Sequence, residues 1–562
     1  MIEQIEVDGV PALLAPSNGP AHAGLAFRVG FADEPLTRRG ITHLIEHLAL
    51  HSTGGADYHY NGATGVEYTY FHMQGSAAEL GEFLASVCVS LSDLPMGRLA
   101  TEKDLLQAEA NGRNSGSAAT MALWRHGARD YGMSSYPEWG LPAITEDDLR
   151  DWATRYFTRE NAVLWLAGTD VPTGLRLDLP SGARRPLPGR SSALRQTPAW
   201  FGGSSGVLVW DAEVPRAARS AVFAGVLDRA MFRELRKEGG ISYAAQAGYE
   251  PLGAGRAMVT AVADALPEMQ GALLGGFVDV LAGLRVGRVD EAEVATVVRK
   301  RVEALLHAEE QGARLPGQAL NLLVGRDVQS ADAAVAELRA VGLAAVVEVA
   351  GEASASGLLM TPHERADWAG FTAAPDRSEA AVAGVDYASR EQGGAHLIVG
   401  SEGVSIASER ACVTVRFDGC AIVRAWPDGG RHLVGLDGLM VAVEPTLYEG
   451  ADDVAERLDA LVPAALRVDQ PPRDPDRVPK PAPPPARDVA ADVSERAYGI
   501  LALFFRVPLT LLGLIVTVLM ASTLTFDTED VGLTIGIVLF CAGLTVYGGF
   551  GIRRSYRRYR GH

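Results

Sequence analysis

The stretch Gly40-Ile-Thr-His-Leu-Ile-Glu-His-Leu-Ala-Leu50 ties this part of the chain to a single helix with a polar constellation on one side. Residues four apart on a helix share a face, so His43 and His47 can present two imidazoles to one point in space. Two imidazoles are an incomplete metal site. A zinc ion that does chemistry takes three protein ligands and keeps a fourth position for water. Glu46, just before the second histidine, stands where a carboxylate could take a proton from such a water. A helix whose histidines face solvent or cap a core is the plain alternative. The metal reading needs some other element of the fold to return a third ligand to this helix.

The segment Arg98-Leu-Ala-Thr-Glu-Lys-Asp-Leu-Leu-Gln-Ala-Glu-Ala110 reads as an amphipathic helix, with Glu102 and Glu109 two turns apart on one face. Taken alone, such a pair is a solvated acidic face. Together with His43-x-x-Glu46-His47, the pair resembles the pitrilysin/insulinase family of zinc metallopeptidases, which includes the mitochondrial processing peptidases. The resemblance implies His43, His47 and Glu109 as zinc ligands, Glu46 as general base, and Glu102 as a carboxylate orienting a ligand histidine. It also implies that Asn61, Gly62, Ala63 and Thr64 dock substrate backbone along a sheet edge, although an Asn-Gly turn into a buried strand would read the same way. Met231-Phe-Arg-Glu-Leu-Arg-Lys-Glu-Gly-Gly-Ile-Ser-Tyr243 is similar to the family's Leu-Arg-x6-Tyr element, which implies that Arg236 and Tyr243 stabilise an oxyanion. The likeness spans about residues 1 to 375. It departs after His47, where only thirteen residues precede Asn61 and the family has a further helix. His51, His59 and His72 nearby are read as bystanders.

The fold expected is α+β. A metal-binding peptidase domain is expected over 1–185 and a second, metal-free copy over 195–375, separated by a Pro-, Gly-, Ser- and Arg-rich linker. Residues 395–466 show short strands followed by one helix, an order similar to pleckstrin-homology-like modules. A proline-rich linker at 467–497 follows. Val507–Phe526 and Val531–Ile552 carry no charge over twenty and twenty-two residues, which predicts a two-helix membrane hairpin within 498–552. Five arginines and no acid lie in the basic tail 553–562. With Arg496 and Arg506 ahead of the first span, the positive-inside rule puts both ends and the peptidase domains on the cytosolic side of a cell membrane.

The formal net charge of −18 argues against nucleic acid as a partner, since phosphate repels an acidic surface. The four cysteines lack metal or disulfide spacing, and the N-terminus has no apolar core of a signal peptide, which fits a reducing compartment. The expectation is a membrane-anchored zinc endopeptidase. Its partners would be peptides, membrane lipid at the hairpin, and a second copy or related subunit that completes the chamber. A non-catalytic scaffold or binding subunit on the same fold is the alternative.

Overall fold

The computed structural model describes residues 2–51, 60–112, 116–203, 206–362, 365–391 and 393–482. In the first part of the chain, β1 (Glu3–Val7), β2 (Val10–Ala15) and β3 (His22–Phe27) lead into helix α1 (Ile41–His51). β4 (Tyr60–Thr64), β5 (Thr69–Gln74), α2 (Ala77–Ser92), α3 (Leu99–Gly112), α4 (Ser117–His126), α5 (Glu146–Tyr156) and β6 (Ala162–Ala167) complete it. The second part runs β7 (Ala199–Gly202), β8 (Val207–Pro215), α6 (Ala218–Met231), β9 (Ala245–Leu252) and β10 (Arg256–Asp264). Helices α7 (Gln270–Arg285), α8 (Glu291–Glu310), α9 (Leu315–Leu323), α10 (Ala331–Arg339) and α11 (Leu343–Ser356) and strands β11 (Leu358–Thr361) and β12 (Thr372–Ala373) follow.

The two parts repeat one topology. The sheets are ordered β1-β2-β6-β3-β5-β4 and β12-β7-β11-β8-β10-β9. From β2 and from β7 onward the pairings match in order and sense: one parallel pair, then three antiparallel. Each sheet buries one face under its own helices. Ala23, Leu25, Phe27, Leu164 and Leu166 pack with Leu44, Leu48 and Leu84 in the first core. Val259, Ala261 and Trp210 pack with Phe223, Phe277 and Val349 in the second.

The opposite faces are covered by exchange. Helix α9, from the second part, lays Leu315, Ala319 and Leu323 on Leu13, Val163 and Trp165 of the first sheet. Helix α4, from the first part, lays Met121 and Trp124 on Phe201, Val209 and Met360 of the second, with the rings of Trp124 and Phe201 stacked at 4.5 Å. The expected domain limits follow chain order, whereas the packing of these two helices crosses between the parts. A sheet face that its own helices do not cover must be buried by something else. The connection after β6 has no regular structure, yet Leu177, Leu179 and Leu194 are buried and anchor it.

A third module is built of β13 (Gly384–Tyr387), β14 (His396–Gly400), β15 (Gly403–Ala407) and β16 (Cys412–Arg416) in one sheet. β17 (Cys420–Ala425), β18 (Arg431–Gly435), β19 (Met440–Val443) and β20 (Arg467–Asp469) form a second sheet, and α12 (Val454–Leu461) packs against the shared core. Two expected boundaries move. The module starts at Gly384, not 395, because β13 pairs with β14. It runs to Asp469, because β20 lies parallel to β17, so residues 467–469 are sheet and not linker. Farther along, Arg473 pairs with Asp428 and Glu444, and Thr446 donates to the Pro479 carbonyl, which ties the start of the proline-rich run to the module. Ala421, Ile422, Val434 and Val468 of the module pack on Leu36, Met133 and Tyr136 of the first part.

The expected hairpin at 498–552 and basic tail at 553–562 lie outside the described residues. Among the described residues, no single helix is long and apolar enough to cross a membrane.

Candidate metal centre

Helix α1 is amphipathic in an inverted sense: both sides are buried, one in the core and one against polar partners. Ile41, Leu44, Ile45 and Leu48 enter the first core, while His43 and Glu46 are only 6% and 5% exposed on the other side. The buried carboxylate of Glu34 starts the helix, accepting from the backbone N–H groups of Gly40 and Thr42 at 3.0 and 2.9 Å. A carboxylate there complements the positive end of the helix dipole. Gly40 has φ +103°, and a Cβ on it would lie 2.8 Å from Cβ of Glu138. Glycine is therefore required both by the backbone and by the neighbour it admits.

That neighbour is the most informative residue of the site. Glu138 Oε1 lies 2.6 Å from His43 Nδ1, with both side chains buried. Glu102 Oε2 lies 3.4 Å from His47 Nδ1, and Arg98 donates to the other oxygen of Glu102 at 3.1 Å. Each imidazole thus has its own carboxylate at Nδ1, an arrangement that holds the proton there and leaves Nε2 as the ligand nitrogen. His47 Nε2 is 3.6 Å from Glu109 Oε1, and the two imidazole rings stand at 4.8 Å, nearly perpendicular. The ligand atoms of His43, His47 and Glu109 all lie within 4.8 Å of one another. Atoms bound tetrahedrally at about 2.1 Å are roughly 3.4 Å apart, so a modest contraction of this His₂Glu set would fit Zn²⁺.

Helix α3 delivers its carboxylates because Leu106, fully buried, turns the face bearing Glu102 and Glu109 toward α1. Glu46 sits beside the cluster, its Oε2 accepting from Thr64 Oγ1 at 2.6 Å. Burial pushes its carboxyl above the ordinary range, against the pull of His43 and of the Thr64 hydrogen bond. Gly62 makes the approach possible: a Cβ there would meet Cγ and Oε1 of Glu46 at 2.8 Å. Asn61, Gly62, Ala63 and Thr64 all belong to β4, the edge strand of the first sheet. Gly62 and Thr64 face Glu46, and the exposed Asn61 accepts from the N–H of Gly62.

Arg236 and Tyr243 are placed differently. Arg236 lies in the last turn of a π-helical extension of α6, Phe232–Glu238, and its guanidinium stacks 5.3 Å from the ring of Tyr243, which is 80% exposed. Among the described residues, no hydrogen bond or ion pair links either of them to the histidine–carboxylate cluster. His51 ends α1 exposed, His72 stands on β5 outside the ligand set, and His59 lies outside the described residues.

Glu138 carries no signal of this role in the sequence. It lies 95 positions from His43 in an irregular segment, Pro137-Glu-Trp-Gly140, so no periodicity marks it. It reaches α1 because Arg39 and this segment clasp each other: Gly140 N–H donates to the Arg39 carbonyl, and Arg39 donates to the Met133 carbonyl at 3.0 Å.

No family model matches the chain, and no curated protein matches it by sequence. Solved structures do. A protease from Helicobacter pylori is 16% identical with TM-score 0.55, over 64% of this chain and 98% of that one. An M16-like peptidase from Alicyclobacillus acidocaldarius is 15% identical with TM-score 0.53, over 64% and 97%. A peptidase M16 inactive domain from Pseudomonas fluorescens is 14% identical with TM-score 0.54, also over 64% and 97%. A chain of complex III2 from Candida albicans matches similarly, with TM-score 0.55. At these identities the likeness is one of fold, shared by peptidases and by proteins with other roles. The duplicated sheets and their covering helices therefore have the fold of the M16-like peptidases, the pitrilysin/insulinase type.

Proposed function

We propose that the protein is a zinc endopeptidase acting on extended peptides. The observation that carries this reading is the convergence of His43, His47 and Glu109 within 4.8 Å, beside a buried Glu46. His43 and His47 would hold Zn²⁺ through Nε2, with Glu109 as the third ligand. Bound there, the ion supplies Lewis-acid polarisation and an acidified water. Glu46 takes the proton from the attacking water and returns it to the leaving amine. Thr64 keeps the Glu46 carboxylate aimed. β4, the last strand in the order of the first sheet, offers backbone groups to an extended substrate, which pairs there as an added strand.

Arg236 and Tyr243, exposed and joined to the cluster by no hydrogen bond or ion pair among the described residues, would act on the site of a second copy. The two uncharged segments at 507–526 and 531–552 support a hairpin anchor in the cell membrane, with the peptidase on the cytosolic side. Protease accessibility in sealed membrane vesicles tests that orientation; cleavage of the peptidase part from the non-cytosolic side would reverse it.

The test of catalysis compares the full-length protein with Glu46→Gln. Both should bind about one zinc per chain, as one three-ligand site implies, and only the wild type should cleave a mixed peptide library. Equal cleavage by both would remove Glu46 from the base role. Zinc binding without cleavage of any peptide would favour the scaffold reading, on which the metal only stabilises the fold. Mixing Glu46→Gln with Arg236→Ala tests action between copies, because only then would two inactive variants restore cleavage.

A further inference from the structure

Glu138 is engaged from two sides. Its carboxylate lies on His43, 2.6 Å from Nδ1. Its neighbours belong to the third module's contact: Tyr136 and Trp139 share one apolar cluster with Ala421 and Ile422 of β17, Val434 of β18 and Val468 of β20. The Tyr136 and Trp139 rings stand 5.5 Å apart, one on each side of Glu138 in the chain. The segment that carries Glu138 is thus held between the candidate metal centre and a module that belongs to neither duplicated sheet. Gly140 leaves it no slack against Arg39, since a Cβ there would lie 2.5 Å from the Arg39 backbone nitrogen.

Polar contacts reinforce this packing at Trp139. The guanidinium of Arg424, on β17, lies over the Trp139 ring at 4.3 Å and over the Trp426 ring at 4.7 Å. Its Nε and Nη2 donate to Gln470 Oε1 at 3.4 and 3.3 Å, and Gln470 Nε2 donates in turn to the Trp139 carbonyl at 3.5 Å. Gln470 is buried and fixed on β17 through its own N–H, 2.8 Å from the Ala425 carbonyl. The ring and the main chain of Trp139 are therefore held by one pair of side chains. A planar guanidinium suits this place, because it stacks on an indole while its N–H fork still reaches an amide. Arg424 has no carboxylate partner among the described residues, and burial, with Arg473 nearby, lowers its pKa to about 10.

We propose that the third module is a clamp on the candidate metal centre: by holding Trp139 it fixes Glu138, and through Glu138 the orientation of His43. Arg424 is the positioning residue, acting along the path Arg424, Trp139, Glu138, His43. The hydrogen bond at the end of that path is short and directional, so a small displacement of the segment weakens it. His47 lies off the path, because its carboxylate, Glu102, comes from α3. The consequence for zinc rests on the metal reading of the site; the positioning of the segment does not.

Zinc affinity of the full-length protein is measured by chelator competition for Arg424→Ala, alone and combined with Glu138→Gln or Glu102→Gln. Arg424→Ala should weaken zinc about three- to tenfold, less than loss of a carboxylate directly behind a ligand histidine. That loss should vanish in the Glu138→Gln background, since both changes act on one path, and persist in the Glu102→Gln background. Arg416→Ala, removing an exposed arginine of the same module that pairs with Glu402, should leave affinity unchanged. Gln470→Leu, a milder change at the same contact, should give the same pattern and replaces Arg424→Ala if that variant melts below the assay temperature. A loss under about threefold, or an equal loss in the Glu138→Gln background, overturns the clamp. Amide hydrogen exchange in the metal-free protein gives a reading without zinc. The N–H groups of Trp139, Gly140 and Leu141, bonded to the carbonyls of Pro137, Arg39 and Glu138, should exchange at least about fivefold faster in Arg424→Ala, with those of β10 unchanged. Unchanged exchange at these three amides overturns the clamp whatever the zinc result. A wild type that binds no zinc would sink the metal reading alone, and the clamp then stands or falls on the exchange.

Discussion

Replacing Glu138 by glutamine removes one negative charge from a nearly sealed pair. The side chains of His43 and Glu138 are 8% and 4% exposed, and their atoms approach to 2.6 Å. Glutamine keeps the shape and an acceptor oxygen, so the histidine tautomer survives on a neutral hydrogen bond while the charge is lost. Carboxylates behind metal-bound histidines are worth about 10–100-fold in metal affinity. For a contact this short and dry the expected loss is in the upper part of that range, about 30–100-fold, or about 2–2.7 kcal/mol. The companion contact, His47 to Glu102, is longer at 3.4 Å, its histidine is 19% exposed, and Glu102 also serves Arg98. Glu102→Gln should therefore cost only about tenfold. Competition for Zn²⁺ against a chromogenic chelator measures both, with circular dichroism and thermal melting to show that the variants fold. Zinc affinity of Glu138→Gln within twofold of wild type would refute the reasoning, and so would a larger loss in Glu102→Gln.

Gly62→Ala places a Cβ 2.8 Å from Glu46 atoms that Thr64 already tethers, so turnover should fall about 100-fold, as for a misplacement on the scale of 1 Å, with zinc affinity retained; a steady-state assay beside the chelator competition separates the two. Arg125→Ala strands the buried Asp211 where α4 crosses onto the second sheet, with both side chains 6% exposed, and should cost about 3–5 kcal/mol in denaturant unfolding. A loss below 1 kcal/mol would mean that this crossing does not depend on the ion pair. His126 is held neutral by burial, its pKa below the ordinary value, whereas the unfolded chain takes up that proton near pH 6.5. Stability should then be complete above about pH 6.5 and fall as the pH drops from there toward the lower folded value. Melting temperatures from pH 5 to 7.5 should show that slope, and His126→Asn should flatten it.

Much of the site is legible in the chain because helices write their geometry into spacing. His43, Glu46 and His47 share one helix, and Glu102 and Glu109 share another, so each group is a local fact of residue order. The strand–helix–strand sequence of both sheet domains and the β-rich character of residues 395–466 are legible for the same reason, since alternation and turn residues mark short strands. Glu138 is not legible: it reaches His43 from an irregular segment whose position depends on Arg39 and on the module packed behind it. β13, of four residues, and the final β20, of three, escaped because strands this short have no local signature beyond a brief apolar run.

The sequence by itself put His43, Glu46 and His47 on one helix and Glu102 and Glu109 on another, because helical periodicity needs only neighbouring residues, while the family resemblance supplied their roles. Tertiary structure alone decided that the two helices meet, that each imidazole has a carboxylate at Nδ1, and that Gly62 brings an edge strand against Glu46. It also decided the exchange of α4 and α9 between sheets. Those outcomes come from burying two sheet faces at once, and the covering surface for each face lies in the other half of the chain.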